Sequence, residues 1–110
     1  MIIKNITNQT YLAKDAKFCL ALKDKLLGLL DKNHPPTLIF KTRFGIHTFM
    51  LKATIDVLIL NNNKQIVKIK ENLPPNSLFF WNPKYNLVIE LPPNTIKKSQ
   101  TKLGDKIHFS

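Results

Sequence analysis

The sequence predicts an α+β fold: a curled or barrel-like, mostly antiparallel β-sheet with one main helix at about residues 20–31. Three observations carry this expectation. Several short apolar runs of strand length are separated by turn chemistry. Only one stretch, Leu20–Leu30, has helical spacing. A parallel sheet would need several helices alternating with strands, and the chain lacks that alternation. Its 110 residues fit a single domain, 1–110, with no internal repeat or linker.

Met1–Thr7 alternates weakly and reads as a first strand, and Thr10–Phe18 as a second extended piece. In the predicted helix Leu20, Leu22, Leu26, Leu27, Leu29 and Leu30 gather toward one side, with Lys23, Asp24 and Lys25 facing away. Pro35 and Pro36 end it. Thr37–Phe40 is a short apolar β-type run, Lys41–Gly45 a turn, and Ile46–Leu51 a further strand. Ile55–Leu60 and Gln65–Lys70 form the clearest hairpin, because Asn61-Asn62-Asn63-Lys64 between them tolerates left-handed backbone. Asn72–Asn76 is a Pro-stiffened loop, and the conformation of the aromatic-rich Ser77–Pro83 is open. Leu87–Leu91 is a strand stopped by Pro92-Pro93, Asn94–Thr101 holds a short helical turn, and Leu103–Phe109 ends as turn and strand.

The net charge is +10, from 17 basic and 7 acidic residues. Such an excess attracts nucleic acid or anionic membranes. Arg43 is the lone arginine, however, and Asn and Ile are also abundant. That pattern favours drift of an AT-rich coding sequence over a surface selected for phosphate recognition, which tends to recruit Arg. No apolar run approaches the roughly 18–20 residues that span a bilayer. Met-Ile-Ile-Lys-Asn lacks the charged and apolar regions of a secretory signal, so the expected location is cytoplasmic. Cys19 lies among Phe18, Leu20, Ala21 and Leu22 and reads as a buried, inert thiol.

The segment Ile46–Leu60 is the most informative, because His47, Lys52 and Asp56 interrupt a strongly apolar run. An unpaired charge is costly to bury, so each must be paired, exposed or functional. Asp56 reads first as a carboxylate accepting backbone N–H bonds at the bend around Lys52–Thr54, or pairing with Arg43 or Lys52. Its functional alternative is a buried acid or a site for a cationic ligand. His47 reads first as a hydrogen-bonded core or rim residue, then as a ligand contact, and last as a catalyst. In Phe79–Tyr85, aromatic rings beside Lys84 either close the core or form a binding wall, and a buried Trp81 needs a partner for its indole N–H. His34, His47 and His108 are scattered, no cysteine pair exists and the glycines are isolated. No metal site, phosphate loop or cofactor is therefore expected.

The order of these pieces resembles the domain-of-unknown-function 192 family. Ile46-His47-Thr48-Phe49, Lys52 and Ile55-Asp56-Val57-Leu58 resemble its central signature. Leu27-Gly28-Leu29-Leu30 resembles the upstream G-L-M or G-L-L element, and Leu38-Ile39-Phe40 the strand before the signature. Val88-Ile89-Glu90-Leu91 and Gly104-Asp105 resemble the closing elements, so the likeness covers roughly residues 12–109. Ala53-Thr54 stand where Phe and Pro are common, Asn61 replaces a frequent Asp, Leu26 stands where Arg is frequent, and Pro92-Pro93-Asn94 replaces a glycine loop. The resemblance implies a compact mixed domain with a barrel-like sheet and assigns no biochemical role.

Three functions compete. The favoured one is a non-catalytic binding or accessory module for a small molecule or protein, with a cleft lined by Arg43, His47, Asp56 and Trp81. The second is a small hydrolase-like enzyme using His47 with Asp56. The third is single-stranded nucleic-acid binding through the Lys-rich surface and the Phe79–Tyr85 aromatics. Oligomeric state is not legible.

Overall fold

The computed structural model describes residues 1–19, 36–49 and 51–110. The main predicted helix, about residues 20–31, lies outside them. The described strands, in chain order, are β1 (Ile3–Asn5), β2 (Thr10–Ala13), β3 (Lys17–Phe18), β4 (Leu38–Lys41), β5 (Gly45–His47), β6 (Ile55–Leu60), β7 (Ile66–Leu73), β8 (Leu78–Phe80), β9 (Leu87–Leu91) and β10 (Ile107–Phe109). One described helix, α1 (Thr95–Ser99), follows β9.

A strand apolar on both faces belongs in the middle of a sheet with both faces covered. Ile55–Leu60 behaves accordingly, with all six residues of β6 buried. It lies between β9 and β7 in a five-stranded sheet of order β3-β4-β9-β6-β7. Every pairing in that sheet is antiparallel except β3 with β4.

Successive side chains point to opposite faces, so the sheet divides the core in two. Leu38, Phe40, Val57, Ile59 and Val88 pack with Ile46, Phe79 and Trp81, which come from the ribbon formed by β5 and β8 and from its end. Ile39, Leu58, Leu60, Ile89 and Leu91 pack with Ile3, Leu12, Ile107 and Ile96, from the β10-β1-β2 sheet and α1. Cys19 is buried in the first cluster. Among the described residues the three sheets do not join into one continuous barrel. The central sheet ends at β7, where Lys68 and Lys70 are exposed, as is usual for a protected edge strand. An isolated bridge, Gln65↔Lys106, joins this side of the molecule to the segment before β10.

The β6–β7 hairpin forms as expected. Its turn is held by Asn61 Oδ1, which accepts N–H bonds from Asn63 and Gln65 at 2.9 Å each, while Lys64 takes a φ of 59°. The second strand runs on to Leu73, past the expected end at Lys70. The strand expected at Ile46–Leu51 is shorter and stops at His47. Thr48 ends it: its hydroxyl donates to the Pro74 carbonyl at 2.6 Å and accepts the Ser77 N–H at 2.8 Å. No helix among the described residues is long and apolar enough to cross a membrane.

Candidate functional site

Asp56 is fully buried on β6. Its Oδ1 accepts the Asn72 N–H at 2.9 Å, and its Oδ2 accepts the Ile96 N–H at 3.0 Å. The first bond holds an irregular part of β7, where the pairing slips between Ile55 and Val57 and Asn72 has a φ of 55°. The second satisfies one of the unpaired amides at the start of α1. Asn94 occupies the N-cap position but makes no side-chain capping bond. Asp56 therefore does a capping residue's work from a central strand, on the face of the sheet that α1 covers. The backbone-accepting role expected for Asp56 is present, although its donors are Asn72 and Ile96 rather than the Lys52–Thr54 bend.

His47 is exposed on β5, opposite Leu78. Its ring stacks on Phe49 at 4.9 Å between centroids, and Nδ1 accepts the Phe49 N–H at 3.3 Å. Adjacent Ile46 faces the core on the ribbon side of the central sheet, whereas Asp56 bonds toward α1 on the other side. His47 and Asp56 are thus separated by the sheet, and no oriented base forms between them.

Trp81 is buried, with its indole N–H donating to the Tyr85 carbonyl at 2.8 Å and its ring 5.8 Å from that of Phe79. It closes the core rather than lining a binding wall. Arg43 is exposed and donates from Nη1 to the Pro83 carbonyl at 2.7 Å. Together with the bond from the Trp81 N–H to the Phe44 carbonyl at 3.0 Å, this ties the turn before β5 to the loop after β8. The four expected cleft residues therefore divide. Arg43 and His47 lie on the exposed ribbon, while Trp81 is core beneath it and Asp56 belongs to the opposite layer. Three open clefts of about 350, 600 and 430 Å³ among the described residues involve none of the four.

The ribbon carries a feature that the sequence reading missed. β8 alternates: Phe79 points into the core, and Leu78 and Phe80 point out. Phe44, Phe49, Leu78 and Phe80 are exposed, at 64%, 46%, 56% and 59%. Phe44 also has a φ of 75°, and the Gly45 N–H donates to the Arg43 carbonyl at 2.9 Å. A bulky residue at the centre of such a three-residue turn is strained by about 1–3 kcal/mol. The visible signal was Leu78-Phe79-Phe80, whose alternation acquires meaning only once the segment is known to be a strand.

Gly45 shows how one ring is seated. A Cβ there would lie 2.5 Å from Phe80 Cδ1 and 2.7 Å from the Phe79 carbonyl oxygen. The second contact is backbone, so a side-chain rotation cannot relieve it. We expect Gly45→Ala to displace Phe80, loosen the β5–β8 pairing and cost about 1–3 kcal/mol in denaturant unfolding. An unchanged midpoint would show that the ribbon yields without cost.

The order and spacing of the sequence elements now have a counterpart in the comparisons. The model of the DUF192 family, described as "Uncharacterized ACR", matches residues 6–109. The chain belongs to this family. A UPF0127 protein of Pyrococcus furiosus is 25% identical over 114 residues, covering 96% of each chain. Two crystal structures share the fold of this DUF192 domain. A candidate transcription regulator from Sinorhizobium meliloti superposes with a TM-score of 0.80 at 16% identity, over 97% of this chain and 89% of its own. A protein of unknown function from Novosphingobium aromaticivorans does so at 0.79 and 13% identity, over 98% and 82%. The family carries no assigned activity, so any role for this member must be argued from its own surface.

Proposed function

We propose that this DUF192 domain is a non-catalytic binding or accessory module whose contact surface is the outer face of the β5–β8 ribbon. The observation that carries the reading is the exposure of Phe44, Phe49, Leu78 and Phe80 together on a ribbon whose inner side is core. Exposed apolar groups gathered on one face mark interaction sites more often than isolated ones do. The strained backbone at Phe44 supports the same reading, because strain persists where surrounding structure or function maintains it. Arg43 and His47 stay in the proposed site, and Trp81 and Asp56 become its scaffold. An enzyme using His47 with Asp56 is not proposed, since the sheet stands between them.

A broader structural feature belongs to the proposal. A curled, barrel-like arrangement of the three sheets is supported by bonds between their flanking segments, from the Ala16 N–H to the Met1 carbonyl and across Gln65↔Lys106.

The test is an amide NMR titration of the labelled protein with two polyanions, polyglutamate and oligo(dT), repeated on Phe44→Gly. Shifts should concentrate in residues 43–49 and 77–84 with at least one probe. Phe44→Gly should weaken that response while its unfolding midpoint holds or rises, because glycine accepts the left-handed backbone without strain. If neither probe perturbs these segments, or the shifts centre on the lysines near α1, the ribbon is not the contact surface.

A further inference from the structure

We infer that the β5–β8 ribbon takes single-stranded nucleic acid, with bases stacked on its exposed rings and phosphates held by the cations at its rim. This rests on the ribbon's being the contact surface. The first observation is charge. Three exposed cations, Arg43, Lys52 and Lys84, lie in the chain segments that hold and flank the ribbon. Lys68 joins them from β7, its Nζ donating to the Phe80 carbonyl at 2.7 Å and lying 5.0 Å from the centre of the Phe79 ring. Exposed Glu71 on the same strand lines a separate cleft with Lys97 and Lys102. Drift toward Lys and Asn codons accounts for many lysines across the chain. It does not place Lys68 against Phe79 and Phe80, or Arg43 against the loop after β8.

The second observation is the aromatic geometry. Phe80 sits across from Gly45, and the His47 ring, stacked on Phe49, lies one same-face step further along, across from Leu78. Same-face positions on a strand are about 7 Å apart. Duplex nucleotides rise about 3.4 Å per strand, so partners at this spacing must be splayed, which a single strand allows. Every base has a π-face, so rings used in this way tolerate many sequences. An acidic peptide would share the charge complementarity, but it would have no comparable use for open ring faces.

The test is fluorescence anisotropy of labelled oligo(dT) and oligo(rU), about 12 nucleotides long, with intact protein from about 50 to 200 mM salt. Polyglutamate and a duplex of the same length serve as competitors. Engagement of three or four phosphates predicts a log–log salt slope of about −2 to −3. With native-like unfolding midpoints, Phe80→Ala should weaken binding about fivefold or more, as loss of one stacked base does, and Arg43→Ala should weaken it and make the salt slope shallower by about 0.7, as loss of one phosphate contact does. Lys98→Ala, on α1, should bind like the parent, and duplex should compete poorly. If polyglutamate binds with dependence on Phe80 while the oligonucleotides do not, the nucleic-acid inference falls and the ribbon remains a contact surface. If neither polyanion binds at low salt, both fall. Oligonucleotide binding that Phe80→Ala leaves intact, or that Lys98→Ala weakens equally, would be diffuse charge attraction and would overturn the inference.

Discussion

Asp56→Ala should destabilise the protein by about 3 kcal/mol or more and release two particular amides from protection. The carboxylate is fully buried and is the acceptor for the N–H groups of Asn72 and Ile96. The bond from Ile96 is buried and the bond from Asn72 part-buried, and a hydrogen bond to a charged group contributes about 1.5–3 kcal/mol. The two losses fall on different elements, an irregular stretch of β7 and the first turn of α1. Hydrogen exchange should therefore accelerate at both, beyond the change expected from the global loss. Asp56→Asn is the informative companion. Its amide offers one oxygen to one N–H but turns an NH₂ group toward the other donor, so about half the effect should remain. If Asp56→Ala costs under about 1 kcal/mol and the Asn72 and Ile96 amides stay protected, the carboxylate is not the structural bracket described above.

Much of this arrangement was legible in the sequence because it depends on local pattern. Ile55–Leu60 announced a buried central strand by being apolar on both faces, and Asn61–Lys64 announced the turn after it. Strand boundaries were less legible, because distant groups set them. Thr48 ends β5 through its bonds to Pro74 and Ser77, residues more than twenty positions away. The same limit governed the candidate site. That Asp56 accepts backbone N–H bonds follows from the cost of burying a charge. That one donor is Ile96, forty positions on, does not follow from any local spacing. His47 and Asp56 are nine positions apart in the chain, yet they fall on opposite sides of the central sheet. The exposed rings were hidden for a different reason. Phe79, Phe80 and Trp81 look alike as letters, and only the β8 pairing decides that Phe79 turns inward and Phe80 outward.

That division of adjacent aromatic residues gives the second large effect. Trp81→Ala should cost about 3–5 kcal/mol, the usual range for a buried aromatic truncated to alanine. Trp81 packs with Phe79 and the core cluster, and its indole N–H is satisfied by the Tyr85 carbonyl. Its loss would leave a cavity beneath the ribbon and unhook the loop that Arg43 also holds. Phe80→Ala, one residue earlier, should change stability by less than about 1 kcal/mol, because its ring is mostly in solvent. Paired urea unfolding curves with intrinsic fluorescence, and circular dichroism for the variant lacking Trp81, measure the contrast. Any binding lost in Trp81→Ala would then reflect a collapsed scaffold, whereas binding lost in Phe80→Ala would reflect the surface itself. Equal destabilisation by the two substitutions would mean that Phe80 supports the fold rather than a partner. The stability result therefore has to precede any assignment of function to the ribbon.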